Sequence, residues 1–171
     1  MLLNEALKMV RDCPTDDAIA ELLVSEQIVA IPTMASQCAL ARFFTRCDDV
    51  HSADVQDGDA YDGAELIYRS NLPDATWQST DLGVPAYDFF RKFDHCVYPK
   101  LVPADLVEVY EMFGAEGFHS GVNITIRGDG IDHYLLNVYT KGYFENKEET
   151  HEAVRQADGS YDFTLIRTIY V

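Results

Sequence analysis

The segment GVNITIR, residues 121–127, decides the fold class, because apolar and polar side chains alternate strictly along it. The apolar positions are Val122, Ile124 and Ile126. A period of two is typical of a β-strand that buries only one of its faces. Such a face must pack against another layer, so we expect the C-terminal part of the chain to be a sheet that is covered on one side.

Two registers are possible for the hairpin that follows this strand. A two-residue loop at 129–130 would place Ile124 opposite Leu135, whereas a three-residue loop at 128–130 would place it opposite Tyr134. The second register keeps the apolar face continuous across both strands. We therefore predict the three-residue loop.

A second hairpin is predicted across the dipeptide at 158–159, Asp-Gly, which favours a two-residue turn. This register places Arg155 opposite Asp162, which is a favourable pair of charges on neighbouring strands. It also places Val154 opposite Phe163.

Helical patterns precede these strands. Apolar residues at helical spacing begin at Leu3, Thr15 is suited to cap a second helix, and residues 36–46 return to a helical pattern. Pro85 and Pro103 each suit the first turn of a further helix.

Together these patterns predict one α+β domain that spans residues 1–171. Its N-terminal and central helices are expected to pack on one face of a C-terminal four-stranded antiparallel β-meander. The last strand is predicted at Tyr161–Val171, and the short apolar run Gln27–Ile31 permits an additional strand ahead of Pro32.

The segment CDDVHSADVQDGDAYDGAELIY, residues 47–68, contains no Lys or Arg. Seven of its residues are acidic, namely Asp48, Asp49, Asp54, Asp57, Asp59, Asp62 and Glu65. Its Asp-Gly dipeptides favour turns, so we predict that residues 47–68 are mostly an acidic loop, with a strand only at Ala64–Arg69.

Calcium binding by this segment has little support from its spacing. An EF-hand loop requires an acidic or amide residue at its fifth position and Gly at its sixth. In a loop that began at Asp57, these positions would be Tyr61 and Asp62, so the motif is not met. A solvated acidic loop is the favoured interpretation, and an irregular cation site is the alternative. We predict no metal site.

The formal net charge of -16 is distributed along the whole chain. A field of this sign repels nucleic acid and anionic membranes and speeds the encounter with basic proteins, although many acidic surfaces serve only solubility. The sequence contains no apolar stretch typical of a signal peptide or a membrane span, so we expect a cytoplasmic protein.

Cofactor chemistry is not indicated by any motif. The four cysteines form no CxxC pair and are predicted to be free thiols, and the five histidines show no HxxxH or HExxH spacing. No Gly-rich phosphate loop follows a predicted strand. We therefore predict no cofactor.

An enzyme or ligand-binding domain is the alternative function. The polar face of the predicted sheet would gather His133, Tyr139, Asn123, Thr125 and Asn137, and a histidine among hydrogen-bonding groups can act as a general base. This alternative requires a pocket between the helices and a curved sheet; otherwise the same residues form a solvated sheet face.

The closing segment RQADGSYDFTLIRTIYV, residues 155–171, is similar to the last hairpin of domains of the nuclear-transport-factor-2-like type. This similarity covers a small part of the chain and includes no catalytic motif. The consecutive helices predicted from Pro85 and Pro103 depart from the layout of that family, so we assign no family.

The leading hypothesis is a small acidic protein that binds a basic, nucleic-acid-handling protein and inhibits it. An inhibitor or immunity protein directed at a nuclease, or a DNA mimic with an anti-defence role, has this composition. Carboxylates also repeat on the predicted outer face of the helix from Pro103. The predicted partner-binding residues are Asp48, Asp49, Asp54, Asp57, Asp59, Asp62, Glu65, Asp105, Glu108 and Glu111.

Overall fold

The structure, a computed structural model, describes residues 1–58, 63–117, 120–128 and 132–171. The α-helices in these residues are α1 (Leu3–Arg11), α2 (Asp16–Ser25), α3 (Ala39–Thr45), α4 (Val84–Asp94) and α5 (Ala104–Phe113). A short 3₁₀ helix lies between α4 and α5 at Pro99–Leu101.

The strands of the described residues form two antiparallel sheets. The first sheet has the order β1 (Val50–Asp57), β2 (Ala64–Ser70), β3 (Gln78–Asp81). The second sheet has the order β4 (Val122–Gly128), β5 (His133–Thr140), β6 (Lys147–Arg155), β7 (Tyr161–Tyr170). The predicted α+β class and the predicted C-terminal four-stranded antiparallel meander are confirmed.

The N-terminal helices follow the predicted pattern. In α1 the apolar stripe is buried, and in α2 the Thr15 side chain accepts a hydrogen bond of 3.2 Å from the amide of Ala18. This bond satisfies one of the free amides at the start of the helix. At the end of α5, Gly114 adopts a φ of 63°, a left-handed conformation that glycine adopts readily.

The strand permitted at Gln27–Ile31 is wrong. Gln27 has a φ of 55°, and the amide of Ala30 donates to the carbonyl of Leu101 in the 3₁₀ helix. The amide of Ile31 donates to the carbonyl of Gln37 in a turn, so neither amide bonds to a strand of a sheet. Ile28, Ala30 and Ile31 are nevertheless buried, which accounts for the apolar run.

The prediction that residues 47–68 are mostly loop is also wrong. Most of this segment forms the β1 and β2 strands, which pair so that Val55 lies opposite Leu66. Ala53 and Val55 alternate with polar residues and are buried, and this weak alternation under the acidic residues is sufficient for a strand. Residues 59–62, which separate the two strands in the sequence, lie outside the described residues.

Both registers considered for the first C-terminal hairpin are wrong. Ile124 lies opposite Val138 and Ile126 opposite Leu136, so more residues separate the paired positions of the two strands than in either register considered. The apolar side chains still share one buried face, because the displacement from the preferred register is an even number of residues. The predicted loop at 128–130 falls largely on residues 129–131, which lie outside the described residues.

The register of the second hairpin differs by one residue from the prediction. Ala153 lies opposite Phe163, because the chain turns over residues 156–160 instead of 158–159 alone, with the amide of Gln156 donating to the carbonyl of Ser160. Ala153 is therefore buried, and Val154 is 40% exposed. The paired charges predicted for Arg155 and Asp162 do not oppose each other.

The buried apolar residues of the helices and of both sheets form one cluster. The α3 helix packs on β1 and α4 packs on β2. On the second sheet, the Phe113 ring of α5 meets the His151 ring edge-on at 5.0 Å. Within the described ranges, no helix has the length and apolar character needed to cross a membrane.

Thr33 connects the helical layer to the second sheet. Its amide donates to the Asp94 carboxylate at the end of α4 over 2.6 Å, and its hydroxyl accepts from the amide of Ile126 in β4 over 2.7 Å. Asp94 is half-buried, and removal of its carboxylate from water raises its pKa to about 6, with a smaller contribution from the negative charge of Asp57.

Candidate functional site

The outward face of the first sheet brings together carboxylates from all three of its strands. Ala53 and Val55 of β1 point to the helices, so the alternate residue Asp54 lies on the opposite face. Through the pairing of the strands, Glu65 of β2 and Asp81 of β3 lie on this outward face as well. We define the acidic sheet face by its members Asp54, Gln56, Glu65, Ile67 and Asp81.

Two carboxylates of the acidic sheet face oppose each other directly. Glu65 is the cross-strand partner of Asp81, a position at which side chains lie about 4.5 to 5.5 Å apart at Cβ. Gln56 donates to Glu65 at 3.2 Å, and the Gly83 amide donates to Asp81 at 2.9 Å. In the part of the chain that the structure describes, neither carboxylate forms an ion pair. Like charges in this position destabilise the sheet unless a cation lies between them.

An exposed aromatic residue lies beside the acidic sheet face. Trp77 precedes β3 and is 53% exposed. The guanidinium of Arg69, also on the outward side of β2, lies 5.8 Å from the centre of its ring. Trp and Arg are the residue types most enriched among the residues that contribute most to binding at protein interfaces.

The predicted residues Asp48 and Asp49 serve the start of α1. The Met1 amino group lies 2.8 Å from the Asp48 carboxylate, which raises the pKa of that amino group, and the amide of Leu3 donates to Asp49 at 2.8 Å. Anionic groups at this position stabilise a helix through its dipole. These two carboxylates are therefore engaged within the chain.

The other acidic residues of the segment 47–68 do not all lie on the acidic sheet face. Asp57 lies opposite Ala64 on the inward-facing side of the first sheet, where its charge reaches Asp94. Asp59 and Asp62 lie outside the described residues. Among the predicted residues that the structure describes, only Asp54 and Glu65 belong to the acidic sheet face.

The carboxylates that were predicted to form one exposed row on α5 do not all face solvent. Glu108 and Glu111 are exposed, but Asp105 is half-buried, and one of its oxygens is buried without a hydrogen-bond partner. Burial raises the pKa of Tyr134 and of Tyr161, and the negative charge of Asp105 raises both further. Asp105 therefore faces the second sheet.

The polar face of the second sheet is open to solvent. Asn123 lies opposite Tyr139, and Thr125 lies opposite Asn137, so these four residues do come together. His133 lies at the far end of β5, where its Nε2 is 2.8 Å from the carboxylate of Glu152, and its side chain is 62% exposed.

Two grooves of the described surface lie away from this face. One of about 530 Å³ lies between α2 and residues 97–100, and one of about 470 Å³ lies beside Arg69 and residues 70–75. Neither of these two grooves is lined by His133 or Tyr139.

The cysteines are free thiols, as predicted. Burial raises the pKa of Cys38 to about 12 and that of Cys47 and Cys96 to about 11, so these thiols are protonated at neutral pH. No group of three or more His, Cys, Asp or Glu residues in the described ranges is arranged to hold a metal ion.

Gln56, Ile67 and Asp81 are the members of the acidic sheet face that sequence reasoning missed. The strand β3 has only four residues, all of them polar, so no alternation of apolar and polar residues marks it in the sequence. The position of Asp81 depends on the pairing of β3 with β2.

Comparison with known proteins does not assign the chain, because no protein-family model and no curated protein matches it.

Proposed function

We propose that this protein binds a basic protein partner through the acidic sheet face and thereby inhibits that partner. The observation that carries the proposal is the direct opposition of Glu65 and Asp81 on an outward face, with no cation of the described chain between them. A Lys or Arg side chain of a partner would relieve this repulsion and form charge-assisted hydrogen bonds to both carboxylates.

The arrangement around this pair fits a protein interface. Ile67, which lies across the strands from Asp54 and Ser79, provides an apolar centre, and the carboxylates of Asp54 and Glu65 lie beside it. Apolar contact supplies affinity at the centre of an interface, while charge complementarity at its margin raises the rate of association and selects the partner.

Proteins that handle nucleic acids are the partner class that best fits such a face. Their binding surfaces present Lys and Arg to closely spaced phosphates. Carboxylates that are held side by side on a sheet present a similar density of negative charge, so they compete for the same basic side chains. Occupation of that basic surface would exclude the nucleic acid and inhibit the partner.

The test is affinity capture from cell lysate with the purified protein as bait, across a series of salt concentrations and with mass spectrometry of the bound proteins. The test variant is the double substitution Glu65→Gln with Asp81→Asn. The matched control is Glu21→Gln with Asp88→Asn, which makes the same change in net charge on exposed positions of α2 and α4.

We expect the wild-type protein and the control to retain a basic partner at low salt and to release it as salt screens the charges. The test variant should lose most of this capture. A partner retained equally by both double variants would exclude the acidic sheet face as its binding site, and the absence of any salt-sensitive basic partner would refute the proposed function.

A further inference from the structure

The outer edge of β7 differs from the other sheet edges in the described residues. On β1 the amide of Val55 donates to the carbonyl of Ala35, on β3 the carbonyl of Asp81 accepts from Arg11, and on β4 the amide of Ile126 donates to Thr33. Along β7 from Phe163 to Tyr170, the described chain provides no comparable bond from outside the sheet. An open edge of this kind is a template for another strand.

The hydrogen bonds at the end of the strand identify the groups that point outward. The amide of Val171 donates to the carbonyl of Asn146, and the carbonyl of Val171 accepts from the amide of Asn146, at 2.9 Å each. The backbone polar groups of Val171 therefore point toward the segment that leads into β6. Because bonding alternates along an antiparallel strand, the amides of Thr168 and Tyr170 point away from β6.

The β7 strand also exposes large apolar side chains. The exposed fractions are 51% for Leu165, 55% for Ile166 and 60% for Tyr170. Leu165 lies opposite His151 and Tyr170 opposite Lys147, which are four residues apart on β6, so Leu165 and Tyr170 share one face of the sheet. A strand added at this edge would cover the open flank of both side chains.

The charge of the edge indicates which occupant fits it. Residues 161–171 contain one Asp and one Arg, so this segment is neutral within a chain of net charge -16. A basic partner gains nothing electrostatically at a neutral edge. Two copies of an acidic chain, in contrast, repel each other least where their neutral segments meet.

We propose that β7 pairs antiparallel with β7 of a second copy of this chain, so that the two four-stranded sheets form one continuous sheet. A two-fold axis relates the copies, and the same edge serves both, as in most homodimers. Leu165 and Tyr170 of both copies then lie on one face of the joined sheet, next to each other across the axis. The proposal is independent of the proposed function, because the edge and the acidic sheet face are separate surfaces.

Salt distinguishes this association from capture of a basic partner. Screening weakens the repulsion between two acidic chains and leaves apolar and backbone contacts in place, so the dimer strengthens as salt is added. Binding of a basic partner weakens under the same change.

The experiment is sedimentation equilibrium of the purified protein over a concentration series, at roughly 50 mM and roughly 500 mM salt. We expect the mass to rise from that of the 19.3 kDa chain toward twice that value, and at lower protein concentration in the higher salt. Hydrogen exchange on the same samples should show protection of the Thr168 and Tyr170 amides that increases with protein concentration.

Three variants complete the test. Thr168→Pro removes an outward amide without removing a bond to β6 and should stay at the mass of one chain, whereas Thr168→Ala keeps the amide and should dimerise like the wild type. Leu165→Lys places a like charge from each copy beside the axis and should weaken the dimer at least about tenfold, even if the proline variant fails to fold.

A single-chain mass at every concentration in both salts would overturn the proposal. A dimer that persists in both Thr168→Pro and Leu165→Lys, or one that salt dissociates, would also overturn it, since the copies would then meet through another surface.

Discussion

The two sheets leave different kinds of surface available to other molecules. In the first sheet the edges are covered by Ala35 and Arg11, and the outward face presents the opposed pair Glu65 and Asp81. In the second sheet the β7 edge is open, neutral and apolar. The chain thus separates a surface suited to electrostatic attraction from an edge suited to strand pairing, and salt acts on the two in opposite directions.

The largest expected effects test whether the two sheets share one core. Leu66 in the first sheet and Leu136 in the second are both fully buried. Either Leu→Ala substitution should lower the free energy of unfolding by about 2 to 5 kcal/mol, because it removes buried methyl groups and leaves a cavity. Urea unfolding followed by circular dichroism and by the fluorescence of Trp77, the single tryptophan, should give coincident transitions in both variants.

The control for these variants is Val154→Ala on the second sheet, which is 40% exposed in the wild type and should change stability by less than about 0.5 kcal/mol. If Leu136→Ala produced a separate early transition that the Trp77 signal did not follow, the sheets would not share a cooperative core.

We expect a smaller, pH-dependent effect on stability at Asp94, which takes part in the connection between the helical layer and the second sheet through its bond to Thr33. Its pKa in the folded chain is about 6, above the ordinary value of 3.8, so the folded state binds the proton more tightly than the unfolded state. Asp94 therefore lowers stability as pH rises from about 4 to about 6, and the full penalty remains above that range. Asp94→Asn has no charge to bury and keeps an oxygen for the Thr33 amide.

We expect Asp94→Asn to be about 1 to 3 kcal/mol more stable than the wild type at neutral pH and to match it near pH 4. Urea unfolding across a pH series measures this difference. Asp88→Asn, an exposed substitution on the same helix, serves as the control and should show no such pH dependence. A constant difference at all pH values would mean that the Asp94 carboxyl does not titrate as described.

Within the acidic segment, Asp49 should affect stability and leave binding unchanged. Asp49→Ala removes the acceptor for the Leu3 amide and should lower the free energy of unfolding by about 1 kcal/mol, while Asp49→Asn should lose less. Thermal unfolding measures the change, and the capture assay should show retention equal to that of the wild type. Loss of capture in a folded Asp49→Asn variant would place Asp49 in the binding surface.

The smallest expected effect is a gain in stability at the candidate site. Asp81→Asn removes the repulsion with Glu65 and should stabilise the chain by about 0.2 to 1 kcal/mol. Asp162→Asn on β7, where the cross-strand partner is Val154, should produce no comparable gain. Denaturation at low salt resolves the pair of variants best, and a loss of stability in Asp81→Asn would show that the two carboxylates do not repel each other.

Sequence reasoning succeeded where local patterns are strong. Strict alternation identified the strand from Val122, and Thr15 marked the start of a helix through an interaction that spans only three residues. It failed at Gln27–Ile31, because an apolar run does not show whether its backbone will bond to a sheet or to a loop. It also failed for β1, where Asp and Gly residues obscured the alternation of Ala53 and Val55.

The candidate site was predictable only in part. Asp54 and Glu65 were among the predicted residues, but their common face with Asp81 results from the pairing of three strands. Asp105 was expected on an outer row with Glu108 and Glu111, yet it turns toward Tyr134 and Tyr161. Helical spacing determines which residues are neighbours, whereas the position of the second sheet determines which of them face solvent.

By itself, the sequence determined the class of the fold, the negative charge and the positions of most helices and C-terminal strands, because these depend on composition and on contacts between near neighbours. Only the tertiary structure decided the registers, the pairing of Glu65 with Asp81 and the open edge of β7. These features depend on which distant segments meet, and a shift of one residue in a strand reverses the face of every side chain that follows.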